Sequence, residues 1–212
     1  MNLILLGAPG AGKGTQAELL TKQLSIPAIS TGNMLREAMA NGSKLGQQVK
    51  KIMDEGSLVP DDVVLDIAAE RVAQADCANG FILDGVPRTL AQAEALEARG
   101  IHIDHVISIE IDDSVIEGRM TGRRVCSKCG ASYHILANPP KAEGICDLCQ
   151  GDLVIRKDDA AETVRHRLEV YHNLTEVLKD FYAKRNKLRL VEGNQSIEGA
   201  NGDILKAIGE RV

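Results

Sequence analysis

Gly7-Ala8-Pro9-Gly10-Ala11-Gly12-Lys13-Gly14-Thr15 decides the fold. It follows a short apolar run, Asn2–Leu6, and precedes an amphipathic stretch, Lys13–Leu24, an order that predicts strand, turn and helix. Glycines let backbone N–H groups wrap around phosphate oxygens, the helix N-terminus adds its dipole, and a lysine at this spacing reaches the β and γ phosphates. The stretch therefore reads as a P-loop. It departs from the general pattern once: Gly14 stands where Ser or Thr normally follows the lysine and Thr15 comes one position later, so no direct Mg²⁺ contact is assigned to the Thr15 hydroxyl.

Working outward, Phe81-Ile82-Leu83, Val106-Ile107-Ser108-Ile109 and Leu188-Arg189-Leu190-Val191 are further apolar runs separated by helical patterning or by insertions. The alternation predicts an α/β protein of the P-loop NTPase fold, with a parallel sheet flanked by helices on both faces. The first of these runs delivers Asp84 at its C-terminal end, where ligands sit in open α/β sheets, and places that carboxylate to hold Mg²⁺ or its waters. Beyond Ala161, Val164, Leu168, Tyr171, Leu174, Leu178 and Phe181 recur at helical spacing and predict one helix with a single core-facing side.

The whole chain has 212 residues, 44% apolar and 26% charged, enough for one core carrying insertions. No apolar run approaches the roughly 18 residues of a membrane span, and the N-terminus lacks a basic leader, so a soluble, cytoplasmic protein is expected. A net charge of −5 and only five aromatic residues, none of them Trp, argue against nucleic acid as a partner. Between positions 121 and 159 the periodic apolar residues give way to Cys126-x-x-Cys129 and, after sixteen intervening residues, Cys146-x-x-Cys149. That spacing is the signature of a structural Zn²⁺ site, since four thiolates fill a tetrahedron and leave no open position. A unit of that size needs such a staple, because it cannot bury an adequate core. A second insertion, 30–59, is helical in pattern and carries Gly32, Gly42, Gly46 and Gly56.

The chain resembles the adenylate kinases along essentially its whole length. The resemblance is carried by the P-loop run through Gln16, by Ser30-Thr31-Gly32 with Leu35-Arg36, by Gly56-Ser57-Leu58-Val59-Pro60-Asp61 and by Asp84-Gly85-Val86-Pro87-Arg88-Thr89. It continues through Gly122-Arg123-Arg124, Arg156-Lys157-Asp158-Asp159 and Glu162-Thr163-Val164-Arg165-His166-Arg167-Leu168. Asn33 stands where that family usually has Asp, and Val86 where it usually has Phe; both are expected to alter tuning and not chemistry.

The resemblance implies reversible phosphoryl transfer from MgATP to AMP, giving two ADP. It implies a core of 1–29, 60–121 and 160–212, an AMP-binding insertion at 30–59 and a zinc lid at 122–159. Thr31, Arg36, Ser57, Leu58, Val59, Gly85, Val86, Pro87, Arg88 and Gln92 would form the AMP site, with Arg156 and Arg167 shared. Gly10, Ala11, Gly12, Lys13, Gly14 and Thr15 would cradle ATP, assisted by Arg119, Arg123, Ser132, Tyr133 and Gln195. Lys13, Asp84, Arg88, Arg123, Arg156 and Arg167 would carry the chemistry. Thr31 and Gln92 bear on acceptor choice: pyrimidine monophosphate kinases usually have Ala at the former, and an amide can pair with the adenine edge.

The partners implied are ATP, AMP and ADP, with no nucleic acid or membrane, and a monomer is expected. The competing readings are a P-loop monophosphate kinase with another acceptor and a nucleotide-dependent switch whose zinc ribbon binds a macromolecule. The ribbon is poor in cations, Lys128 and Lys141 against Glu143, Asp147 and Asp152, which disfavours the switch. Cys77 is read as a semi-buried free thiol, and His102, His105, His134, His166 and His172 as ordinary surface or core-edge histidines. Arg99, Arg124 and Arg185 are read as surface ion pairs.

Overall fold

The computed structural model describes residues 1–210; Arg211 and Val212, the end of the stretch assigned above to the core, lie outside the described residues. Five parallel strands form the central sheet: β1 (Asn2–Leu6), β2 (Ala28–Ser30), β3 (Phe81–Asp84), β4 (His105–Glu110) and β8 (Leu188–Glu192), in the order β2-β3-β1-β4-β8. Strand β1 shows why each reads as an unbroken apolar run. Ile4 and Leu6 point into one buried cluster while Leu3 and Leu5 point into another, so both faces are dry.

Helices α4 (Asp61–Val72) and α5 (Leu90–Ala98) cover the first face, and α1 (Lys13–Leu24) and α9 (Ile197–Ala207) the second. Helices α2 (Thr31–Ala40) and α3 (Lys44–Asp54) follow β2 directly, in agreement with the helical pattern of the 30–59 stretch. Helix α6 (Asp113–Thr121) leads into a separate antiparallel sheet of β5 (Arg123–Cys126), β6 (Ser132–His134) and β7 (Leu153–Val154), ordered β6-β5-β7. No helix among the described residues is long and apolar enough to cross a membrane.

One sequence expectation is corrected. The helix expected from Ala161 through Phe181 is two, α7 (Ala161–Val170) and α8 (Leu178–Ala183), separated by a π turn over Tyr171–Thr175. A π turn takes more residues per revolution than an α turn, so the inward line slips along the sequence. Leu174, expected inside, is 45% exposed, and Thr175 is buried at 7% in its place. Strand β2, not anticipated, is too short at three residues to show an alternating pattern.

The minor readings fare unevenly. Cys77 is buried and accepts from Arg71, and Arg99 and Arg185 pair with Asp66 and Glu97. Arg124 is different: its guanidinium donates to the carbonyls of Thr121 and Arg123 and not to a carboxylate.

Candidate active site

Leu6 ends β1 and the chain turns at Gly7, whose φ of +139° and whose contact with the Ile109 carbonyl leave no room for a Cβ. Gly12, at φ +100°, caps α1 without a side-chain acceptor, so the first amides of the helix face the cleft. Lys13 extends back along the loop and donates from Nζ to the carbonyls of Gly7 (2.6 Å) and Ala8 (2.8 Å). Asp84 pairs in register with Leu5 on the neighbouring strand and meets the loop from the side. A Cβ on Gly14 would stand 3.8 Å from its Oδ2, so the glycine that replaces Ser or Thr lies beside the carboxylate expected to hold Mg²⁺.

Burial drives the Lys13 ammonium down to about 7; Asp84 opposes this, while Arg88, Arg167 and Arg123 reinforce it. Polyphosphate against Nζ favours the charged form and raises that value again. ATP binding at pH 8 is therefore expected to take up most of a proton, and at pH 6 almost none, read from the dependence of calorimetric binding enthalpy on the ionisation enthalpy of the buffer. A pH 8 enthalpy independent of buffer would overturn this.

One cavity opens from the loop, and a second adjoins it across Gly85, Arg88 and Arg167. The larger, about 590 Å³, is lined by every residue assigned from the sequence to ATP, from Gly10 through Thr15 to Arg119, Arg123, Ser132, Tyr133 and Gln195. The Tyr133 hydroxyl itself is engaged elsewhere, accepting from the Asp147 amide at 2.8 Å and lying 3.5 Å from Cys146 Sγ. The smaller cavity is lined by Thr31, Arg36, Ser57, Leu58, Val59, Gly85, Arg88, Gln92 and Arg167. Three expected members fall elsewhere: Val86 is 1% exposed with its side chain in the core, Pro87 lines an adjoining hollow beside Lys13, and Arg156 lines the larger cleft.

Gln92 is 1% exposed and its amide is engaged at both ends: Oε1 accepts from the Arg88 amide and Nε2 donates to Asp61 Oδ1, each at 2.7 Å. Thr89 caps α5 by accepting from the Gln92 amide and donates to Asp61 Oδ2. Arg36, Arg88 and Arg167 line both cavities, and Arg123 and Arg156 the larger one. Arg123 forks onto Asp159, with Nε 2.8 Å from Oδ2 and Nη2 on Oδ1; Asp159 is 1% exposed. Arg167 donates to Asp158 Oδ2 at 2.8 Å. Burial lowers Arg156 to about 9 and Arg167 to about 10, with like charges adding to the effect and Asp158 and Asp159 opposing it.

Asn33 accepts from both Arg36 (2.9 Å) and Arg156 (3.3 Å) through one side-chain oxygen. Sequence reasoning assigned no role to Asp61, Asp158 or Asp159; for the latter two the signal available was an adjacent pair of aspartates inside the arginine-bearing run from Arg156 to Arg167.

Cys126, Cys129, Cys146 and Cys149 converge, their sulfurs all within 4.8 Å of one another, with 3.4 Å between Cys126 and Cys149 and 3.6 Å between Cys129 and Cys146. Sulfurs about 2.3 Å from a tetrahedral centre stand about 3.8 Å apart, so the donor set fits a metal ion. His134 is not of the set: its Nδ1 accepts from the amides of Leu136 and Ala137.

A P-loop at the C-terminal end of the central strand of a five-stranded parallel sheet, with arginines converging on the cleft from several elements, defines a nucleotide-dependent phosphotransferase. Residues 5–187 match the family model for adenylate kinase. The chain is 53% identical over 213 residues to the adenylate kinase of Caldicellulosiruptor bescii, with 99% of each chain covered. It is 50% identical over 212 residues to that of Carboxydothermus hydrogenoformans (98% of this chain, 99% of the relative). It is 48% identical over 213 residues to that of Lachnospira eligens (99% and 100%). The chain belongs to the adenylate kinase family.

Proposed function

We propose a division of labour within the cleft for the reaction that membership of this family brings, reversible transfer of the terminal phosphoryl group of MgATP to AMP, giving two ADP. The larger cavity takes ATP and the smaller takes AMP. The observation that carries this reading is the shared wall: Arg36, Arg88 and Arg167 line both cavities, so the two bound nucleotides would meet at these guanidiniums. The acceptor phosphate is already an anion and needs no general base. Catalysis is then positioning and charge neutralisation of the equatorial oxygens, a task suited to planar forks that donate in pairs.

In the same reading Asp84 holds the Mg²⁺ that arrives with ATP, or its waters, and the four thiolates hold a structural Zn²⁺. Residues 122–159 act as the lid that excludes water, 30–59 as the acceptor-binding insertion and the remainder as the core. The net charge and the scarcity of aromatic residues support nucleotides, and neither nucleic acid nor membrane, as the partners of a cytoplasmic monomer.

A coupled assay of ADP formation across AMP, GMP, CMP and UMP tests the acceptor, with AMP expected to be preferred. Gln92→Leu sharpens it. The amide retains one N–H and one lone pair for an adenine edge, and its loss also frees the Arg88 backbone. The KM for AMP should rise roughly tenfold or more while the KM for ATP moves little. An equal loss for both nucleotides would make Gln92 a purely structural residue.

A further inference from the structure

We propose that Thr175 is a positioning residue for Arg88, brought to it by the π turn that interrupts the α7–α8 region. The proposal rests on the reading above that Arg88 meets the phosphates where the two cavities join. Arg88 is a half-buried cation, with its affinity for the proton lowered by desolvation, and its side chain is tethered at Nε to the Gly85 carbonyl at 2.9 Å. Such a group serves phosphate only if its backbone is held still. It is held from both sides: Gln92 Oε1 accepts from its N–H at 2.7 Å, and Thr175 Oγ1 donates to its C=O at 2.7 Å.

Thr175 lies on the inward line that continues to Leu178 and Tyr182, both buried in the core. Helical threonines commonly bond back to their own preceding turn, as Thr121 does to the Glu117 carbonyl at 2.9 Å. Thr175 instead spends its proton on a carbonyl 87 residues away in sequence. Within the π turn, closed by the Glu176 amide on the Tyr171 carbonyl, Thr175 shares the buried side with Tyr171 while Leu174 faces out. Tyr171 and Thr175 line the same hollow as Lys13, Arg88 and Arg167, so the turn faces the phosphate end of the cleft.

The test is a double-mutant cycle in the full chain with Thr175→Val and Arg88→Lys, scored by steady-state kinetics in both nucleotides and by thermal midpoint. Thr175→Val leaves a buried carbonyl without its donor and should lower kcat/KM for AMP about tenfold, while the KM for ATP stays within about twofold. Thr175→Ser, which keeps the donor, should return kcat/KM to within about threefold of the parent. In the Arg88→Lys background Thr175→Val should cost less than about twofold further, because residues acting through one group are not additive. If Thr175→Val does not fold, Thr175→Ala, equally without the hydroxyl, takes its place in the cycle with the same expectations.

A Thr175→Val enzyme with a lower midpoint and unchanged kcat/KM for AMP would overturn the proposal, as would full additivity with Arg88→Lys or a serine variant as poor as the valine. If Arg88→Lys alone retains parental kinetics, the assigned role of Arg88 fails, and the positioning role falls with it.

Discussion

Lys13→Met should lower kcat at least a hundredfold in a protein whose circular dichroism is unchanged. Methionine nearly matches the length of the lysine stem, so the loop geometry set by Gly7 and Gly12 should survive while the one mobile cation inside the loop is lost. The ammonium lies against the loop's carbonyls at the foot of the arginine-lined cleft, where a charged donor aimed at developing phosphate charge is worth roughly two or more powers of ten in rate. Its hydrogen bonds to the Gly7 and Ala8 carbonyls show that its reach matches the curve of the loop. Near-normal turnover in the folded variant would rule out this role.

Cys129→Ser should act on a different quantity. The buried core of the unit around β5 and β6 consists of Cys126, Ala131, Tyr133 and Cys146, so half of what would ordinarily be hydrophobic interior is cysteine sulfur. Removing one thiolate weakens metal binding, and at a structural site binding energy is folding energy. The thermal midpoint is expected to fall, with 122–159 becoming the first protease-sensitive region while the main sheet, with its own two clusters, persists. Activity well below that midpoint should drop far less than in Lys13→Met. About one zinc per chain is expected by elemental analysis. Metal-free protein from a preparation without chelator, or unchanged hydrogen-exchange protection of the unit in Cys129→Ser, would sink the assignment.

What could be read from sequence alone follows a physical dividing line. Strand β1, the loop and α1 were legible to the residue because a strand buried on both faces, a run of glycines and an amphipathic turn are local patterns. The four cysteines were legible because metal geometry constrains spacing. The π turn was not: one extra residue per revolution leaves apolar residues three and four apart on either side of it, so Leu174 looks as good a core position as Thr175.

The ties that hold the site were equally hidden. Asp159 reaches Arg123 across 36 residues and Asp61 reaches Gln92 across 31, contacts that only the folded chain creates. The individual nucleotide contacts came from the resemblance and not from pattern; among the residues it names, Val86 has its side chain in the core.

Asn33 offers one carbonyl to two guanidiniums that have no reason to stay together. Arg36 belongs to α2 and Arg156 to the segment after β7, and each depresses or is depressed by its neighbours as like charges are. A carboxylate at position 33 would bind them into a resting clasp; the amide supplies hydrogen bonds and no counter-charge. The two guanidiniums therefore rest on shared hydrogen bonds and on the carboxylates of Asp158 and Asp159, and an anion entering between them would supply the counter-charge that position 33 lacks.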